Sequence, residues 1–575
     1  MARQEVALGG MWRFQVDVSG DGEKVGYFDG SYDVTRWRQV LVPGSFSACM
    51  PGVDWYEGVG WFSRQFEVPR SWEGQRVVVR FEGVNYRARV WLNGRMVGEN
   101  ADGFLRFELP IGEAVRFGQT NVMVVRVDNA RRPGEVPGME RGWRPFGGIL
   151  REVKVVASGR VYIDHLRISA APTETGGAVT IDGCVINGTA GDEAVELAVE
   201  VVDGSGQVCG KLRPVAAKLV GNGRVNVKLE GMVGGAKAWS PQTPVLYTAR
   251  ATLRMGGGVA DAVDVRFGFR RIEVKQGKVL LNGRAIFLTG FNRHEDSPTM
   301  GMCPDLKTVR ADLVDMKAAG ANFVRLCHYP HHPQELDLCD EVGILVMGEI
   351  PLYWWNGLAE GEGNCSKKLD AAHRQLTSMI LRDINHPSII FWSVSNETQE
   401  QRPEVAAGNA SLVSLAKKLD PTRLATHVSD HWRTNAHFEV DDVMCVNGYP
   451  TWFGRFKGPE YDVAEATRSW KDDLEKLHQK YPAKPILISE FGYPCVEDVH
   501  DGAMAEQMQA KAIEAEAKGM TAEYVVGQTI WCYADHPWPE ENFIHYMTTS
   551  PFGVVTRGRK HKAGWEAAKR VFTAR

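Results

Sequence analysis

Two glutamates, Glu397 and Glu490, each interrupt the polar end of an apolar run of strand formers, "IIFWSVSNE" (389–397) and "ILISEFG" (486–492). A run that looks buried and stops at an ionisable residue has either met water or delivers a functional group. Other apolar runs stop in the same way. Asn292, Arg293, His294, Glu295 and Asp296 follow "AIFLTG", Arg325 and His328 close "NFVRLCH", and Glu349 closes "ILVMGEI". Asn447 and Tyr449 close "VMCVNGY", and Trp531 and Asp535 lie in "QTIWCYAD". Two facing carboxyls are what cleavage of a glycosidic bond requires. One protonates the leaving oxygen while the other meets the oxocarbenium-like carbon. An amide beside the acid, here Asn396, can hold a sugar 2-hydroxyl, a contact that strengthens in the transition state. A single strand-end Glu is as readily a structural ion pair, and Glu349, with arginines available, is open to that reading. Glu397 and Glu490 together, with Trp531 as an aromatic platform, are harder to obtain from packing.

These ends meet only if the runs are parallel strands of one barrel. After residue 275 eight apolar runs, "LATHVSD" among them, alternate with helical stretches such as "LKTVRADLVDMKAAG" and "LDAAHRQLTSMILRDI". That pattern predicts a (β/α)8 barrel over 271–575, with its active site at the carboxyl ends of the strands. Before 270 the rhythm has period two. "QRVVVRFEGV", "YRARVWLNGRMVGE" and "TNVMVVRVDN", with a turn at Asn93-Gly94, predict antiparallel hairpins. A jelly-roll β-sandwich is expected over 1–158 and an immunoglobulin-like β-sandwich over 159–270. Trp12, Trp61 and Phe62 are expected in the sandwich core rather than as sugar platforms.

The charge is −4 over 575 residues, without a long single-sign block, so neither nucleic acid nor an anionic membrane is expected as partner. No apolar run approaches about 18 residues and the start has no signal-like apolar region, so no membrane span is expected. Ten cysteines are scattered without a CxxC pair, which points to a reduced, cytoplasmic protein. "CHYPHHP" (327–333) invites a zinc reading through His328, His331 and His332, but Tyr329-Pro330 separates them and His328 is better used in a sugar pocket. No dinucleotide fingerprint or serine-nucleophile elbow is present. No cofactor is expected, and the expected partner is a small glycoside or oligosaccharide substrate.

Longer motifs carry a resemblance. "VNYRARVWLNGRMVGENADGF", "WSPQTPVLYTARATL", "RFGFRRIEV", "LNGRAIFLTGFNRHED", "NFVRLCHYPHHPQELDLCDEVGILVMGEIP" and "HPSIIFWSVSNE" together resemble glycoside hydrolase family 2 across essentially the whole chain. The three-domain order and short length are closest to its β-glucuronidase-like branch. The resemblance implies a retaining exo-β-glycosidase with Glu397 as acid/base and Glu490 as nucleophile. It implies that Asn396, His294, His328 and Trp531 form the sugar pocket, and that Tyr449 stands near the nucleophile. It further implies a homo-oligomer, and a Mg or Na ion near the site is a family feature that this sequence does not reveal. Glu397 is expected to begin protonated, raised by burial and by the Glu490 charge.

Two departures bear on the sugar. Where the family's glucuronidases place an Asn-x-Lys motif for the substrate carboxylate, this chain has Ser550-Pro551-Phe552, followed by "GVVTRGRKHK". Phe cannot pair with a carboxylate, and an unpaired buried charge is costly. Before "FGGILREV" an Asp is expected, and Gly142 stands there, with Glu140 or Arg141 as substitutes after a small shift. A neutral β-galactoside-type substrate is therefore the expectation. The alternatives are a β-uronide, with Arg557 or another basic group on the carboxylate, and a catalytically silent carbohydrate-binding protein. Whether water or a sugar acceptor resolves the intermediate is left open.

Overall fold

The computed structural model of the chain describes residues 3–457, 462–539 and 548–574. In the first sandwich a four-stranded sheet (Gln4–Ala7, Val153–Ser158, Arg76–Phe81, Phe107–Pro110) faces a six-stranded one (Arg38–Val42, Gly10–Asp17, Val59–Glu67, Thr120–Asp128, Arg87–Leu92, Arg95–Asn100). Alternation sends Val77, Val79 and Phe81 into a core shared with Trp12 and Phe62. Trp61 is buried in an adjoining aromatic cluster with Trp37 and Trp91. The predicted hairpin turns at Asn93 and Gly94, whose φ values of +52° and +83° are those a two-residue hairpin needs.

In the second sandwich, the strands Val161–Thr173, Gly176–Asn187 and Arg224–Gly234 face a sheet built on Glu193–Val202, Tyr247–Met255 and Gly258–Phe267. Ile181 and Leu229 from one face meet Leu197 and Leu253 from the other.

Eight parallel strands then close into a barrel: β1 (Leu288–Arg293), β2 (Phe323–Leu326), β3 (Leu345–Glu349), β4 (Ile389–Asn396), β5 (Leu424–Ser429), β6 (Met444–Asn447), β7 (Ile486–Phe491) and β8 (Val525–Ile530). Every residue of β4 and β7 is buried, because one face fills the barrel and the other meets helices. The helices that cover them include α1 (Leu306–Ala318), α2 (Pro333–Val342), α3 (Glu362–Asp383) and α4 (Pro403–Leu419). Asp305 caps α1 by accepting from the backbone N–H groups of Lys307 and Thr308. Leu313, Leu376, Met379 and Leu412 are among the helix residues buried against the barrel.

The sandwiches are fastened to the barrel by buried polar groups. Arg151 donates to Glu295 at 3.0 Å and to the Pro330 carbonyl at 2.8 Å. Arg270 donates to the carbonyls of Pro387, Thr422 and Ile389. Among the described residues no helix is long and apolar enough to cross a membrane.

Candidate active site

β4 and β7 each carry an extra residue just before their glutamate. Along the pairing of β4 with β5, Ser393 lies opposite Thr426 and Asn396 opposite Val428, so three steps on β4 match two on β5. Between β7 and β8, Ile488 lies opposite Gln528 and Phe491 opposite Ile530, again three steps against two. Such bulges bend a strand and re-aim the side chains that follow. Glu397 itself takes a left-handed backbone, φ +50°, and its N–H donates to the Val428 carbonyl at 2.9 Å.

The two carboxyls are held by different partners. Arg325, wholly buried at the end of β2, donates from Nη1 to Glu490 Oε1 at 2.5 Å and to Asn292 Oδ1 at 3.1 Å. Its Nη2 donates to Asn396 Oδ1 at 2.7 Å and to both oxygens of Glu349 at 2.8 and 2.9 Å. The other oxygen of Glu490 accepts from the Tyr449 hydroxyl at 2.5 Å. Glu397 accepts from Trp354 Nε1 and from Asn447 Nδ2, each at 2.8 Å. Ser489 Oγ fixes Asn447 by donating to its Oδ1 at 2.8 Å.

Glu349 is the structural ion pair that its arginine neighbours allowed for. It is fully buried and also accepts from Ser393 Oγ at 2.6 Å, with His328 Nδ1 at 2.7 Å. Arg325 keeps its carboxyl below the usual range despite burial.

Burial pushes the Glu490 carboxyl up to about 8, and the nearby Glu397 charge pushes the same way, against the pull of Arg325. The sequence expected a raised carboxyl at Glu397 and did not foresee the one at Glu490, the more deeply enclosed of the two.

Burial lowers His328, so its ring is neutral near pH 7. With Nδ1–H directed at Glu349, its Nε2 is left as an acceptor 4.0 Å from Glu490 Oε1. The ring stacks on Trp531 at 5.2 Å.

A cavity of ≈ 700 Å³ is lined by His328, Asn396, Glu397, Tyr449, Glu490 and Trp531. His294 is not on its wall. It lies behind, edge-on to Trp531 at 5.5 Å, with Nδ1 near the Tyr329 hydroxyl at 3.1 Å and Nε2 without a partner among the described residues. The jelly-roll domain reaches the same place: Trp143 packs against Tyr353 at 5.6 Å and against His328 at 6.1 Å, and Glu140 joins the lining.

Sequence reasoning passed over Tyr353, Trp354, Asp430, Arg433 and Trp538, which also line the cavity. Asp430 was within reach, because it directly follows β5 and obeys the same strand-end logic as Glu397. The others sit in loops, where no periodicity marks them.

The departures resolve structurally. A Cβ at Gly142 would stand 2.8 Å from the Tyr353 hydroxyl, so that position is closed, and Glu140 supplies the nearby carboxyl. Phe552 lines the cavity, buried against Trp531 and Tyr449. Arg557 is engaged elsewhere, with two bonds to Asp296 at 2.7 and 2.9 Å. Asp535 pairs with Lys562 at 2.9 Å.

The three histidines of "CHYPHHP" go to three places. His328 faces the cavity, His331 Nδ1 meets Glu335 at 3.1 Å, and His332 caps α2. His294, Cys327 and His328 do bring ligand atoms within 4.8 Å of one another. Burial pushes the Cys327 thiol well up, however, and Nδ1 of His328 is committed to Glu349.

Residues 7–158 match the sugar binding domain of glycosyl hydrolases family 2, residues 161–270 match a second domain of that family, and residues 272–574 match its TIM barrel domain. A β-glucuronidase of Paenibacillus borealis is 26% identical, over 98% of this chain and 96% of that protein. The β-glucuronidase of Mus musculus is 27% identical, over 98% of this chain and 89% of its own. A solved β-glucuronidase structure from an uncultured Clostridium sp. superposes with a TM-score of 0.87 at 26% identity, covering 100% of this chain and 98% of the other.

Proposed function

The chain belongs to glycosyl hydrolases family 2, and from that premise we propose a retaining, exo-acting β-glycosidase with Glu490 as nucleophile and Glu397 as acid/base. The observation that carries this reading is the unequal fastening of the two carboxyls. A buried guanidinium and a phenol hold Glu490. Among the described residues, neutral donors, an indole and an amide, hold Glu397. Arg325 pulls Glu490 toward the carboxylate that must attack, against burial, and Glu397, with no cation on it, is the group placed to give the proton.

Glu490 Oε attacks the anomeric carbon as the bond to the leaving oxygen breaks, and Glu397 gives its proton to that oxygen. The glycosyl-enzyme ester removes the charge at Glu490. Glu397, now ionised, takes a proton from water, whose oxygen attacks the anomeric carbon and returns Glu490 as carboxylate. Asn396, oriented by Arg325, stands where a sugar 2-hydroxyl would be held.

For the sugar, the relatives point to a β-glucuronide rather than to the neutral β-galactoside expected from the sequence. Arg433 fits this: it lines the cavity, its Nε bound to Asp473 at 3.0 Å and its plane lying over Trp432 and Trp470. One observation favours a neutral sugar as a second reading: Phe552 on the cavity wall, with Arg557 held by Asp296. A panel of p-nitrophenyl β-glucuronide, β-galacturonide, β-galactopyranoside and β-galactofuranoside separates them. The uronide reading expects uronides to be turned over fastest and Arg433→Gln to raise their KM about tenfold or more. Faster turnover of a neutral sugar overturns it in favour of the second reading.

A further inference from the structure

The immunoglobulin-like sandwich carries a group of side chains that bond cleavage does not use. Its first two strands, Val161–Thr173 and Gly176–Asn187, pair in register except at one place. Ile163 lies opposite Val185 and His165 opposite Cys184, so Asp164 is the extra residue of a β-bulge. At such a bulge two residues oppose one, here Asp164 and His165 against Cys184. Val185 points into the sandwich core, and alternation turns its neighbour Cys184 to the outward face. Cys184 is only 4% exposed there, while the side chains of His165 and Asp164 keep 34% and 45% of their surface in solvent. The backbone of the bulge is pinned. The Ile163 N–H donates to Asp261 Oδ2 at 2.8 Å, and the Ile163 carbonyl accepts from Arg3, which itself binds the buried Asp261 at 2.8 and 3.1 Å. His165 Nδ1 stands 2.9 Å from Asp164 Oδ2. One carboxylate oxygen, one ring nitrogen and the Cys184 Sγ all lie within 4.8 Å of one another.

We propose that Asp164, His165 and Cys184 form a binding site for a divalent cation of the zinc class, on the outer face of this sandwich and separate from the barrel cavity. A carboxylate, an imidazole and a thiolate suit a borderline-soft ion, whereas Mg2+ and Ca2+ take all-oxygen sets. Around a tetrahedral zinc, with bonds of about 2.0–2.3 Å, neighbouring donor atoms stand about 3.3–3.6 Å apart. The three donors reach that spacing by shifts of about 1 Å, within the range of their side-chain torsions. Water completes the fourth position from the solvent side. The thiolate and the carboxylate match the two charges of the ion. The bulge is what makes the set: a regular ladder sets one side chain opposite Cys184 and turns the next into the core. Burial and the Asp164 charge push the Cys184 thiol up, and Arg224 and Arg167 pull it back. The ion takes the place of the thiol proton, which leaves to solvent as the metal–sulfur bond forms.

The test adds the metal alone to the full chain, stripped with a chelator and kept reduced by a phosphine. Co2+ reports its own ligands, because a thiolate on Co2+ gives a charge-transfer band in the near ultraviolet that imidazole and carboxylate do not. The unmodified chain should take up one Co2+ with that band, and Zn2+ should displace it. Cys184→Ser should abolish the band. Competition with a chromophoric chelator should show Zn2+ affinity lowered about 100-fold or more by Cys184→Ser and by His165→Ala, since even indirect partners of a metal are worth 10–100-fold. Asp164→Asn should weaken it about tenfold or more. The metal-free variants should melt like the metal-free parent, because all three side chains face outward. If Cys184→Ser does not fold, the affinities of His165→Ala and Asp164→Asn decide. Three results overturn the site: no uptake of either metal, Zn2+ affinity equal in the parent and the folded variants, or a band that survives Cys184→Ser and is lost in Cys327→Ser. None of these readings depends on the catalytic one.

Discussion

The floor of the cavity and its rim are secured in different ways. On the floor Arg325 binds Glu490, Glu349, Asn292 and Asn396 at once, and Glu349 is further tied to Ser393 and His328. All of these groups come from strands or from the residue or two that follow one. On the rim the side chains come from loops, and several polar groups stand apart from such a network. Asp430 Oδ1 has no partner among the described residues, Arg433 is anchored to Asp473 through Nε, and Trp354 is kept in a left-handed backbone. The contrast is informative because an over-determined floor fixes which atoms react. A rim with unspent polar capacity is where a substrate can be selected without disturbing the chemistry.

The largest effects are expected at the two carboxyls of the floor. Glu490→Ala should lower kcat by roughly 10⁴-fold or more on every substrate, because no other group can form the ester. Glu397→Ala should cost roughly 10²–10⁴-fold on alkyl glycosides but far less on aryl glycosides with good leaving groups, which need little protonation. Steady-state kinetics over a series of leaving groups checks both. A Glu490 variant within tenfold of the parent, or a Glu397 variant equally impaired on good and poor leaving groups, would show that the floor does not fix the roles as argued.

A milder effect follows from the burial of Glu490. Its carboxyl is raised to about 8, and a protonated Glu490 cannot attack. The expected profile of kcat/KM on p-nitrophenyl glycosides, which need little protonation, therefore rises about tenfold per unit toward pH 8 and levels off beyond it. A profile already level at pH 6 would mean that Arg325 outweighs burial and holds Glu490 as the carboxylate.

How far the sequence disclosed this site follows the same division. The barrel, the two sandwiches and the floor were legible because buried strands announce themselves as apolar runs, and a polar residue closing such a run has few structural reasons to be there. Glu397, Glu490, Asn396, Arg325 and Tyr449 all meet on that rule. The bulges in β4 and β7 were not legible, since an extra residue in a fully apolar strand leaves its composition unchanged. Nor was the position of His294, which the family resemblance placed in the sugar pocket and the structure packs behind Trp531. Trp354 and Arg433 depend on loop conformation, and Phe552 was visible only as a departure from a motif, which says what is lost and not what replaces it.

The smallest expected effect tests whether the basic stretch from Arg557 to Lys562 belongs to the rim at all. In the structure Arg557 binds Asp296, Arg559 binds Asp312, Lys560 binds Asp498 and Lys562 binds Asp535. Each pair joins the C-terminal segment to another part of the barrel, which makes the stretch a fastening and not a carboxylate cradle. Arg557 is about one-third exposed, and an ion pair in that position is worth about 1 kcal/mol at most, even with two bonds. Arg557→Gln should then lower the thermal midpoint of the barrel by about 2–4 °C. It should leave the ratio of uronide to neutral-sugar turnover unchanged, because the residue faces Asp296 and the Ser297 carbonyl instead of the cavity. A variant that melts like the parent but loses uronide turnover selectively would move Arg557 from the fastening to the rim. It would also mean that the pairing with Asp296 opens when an anionic sugar binds.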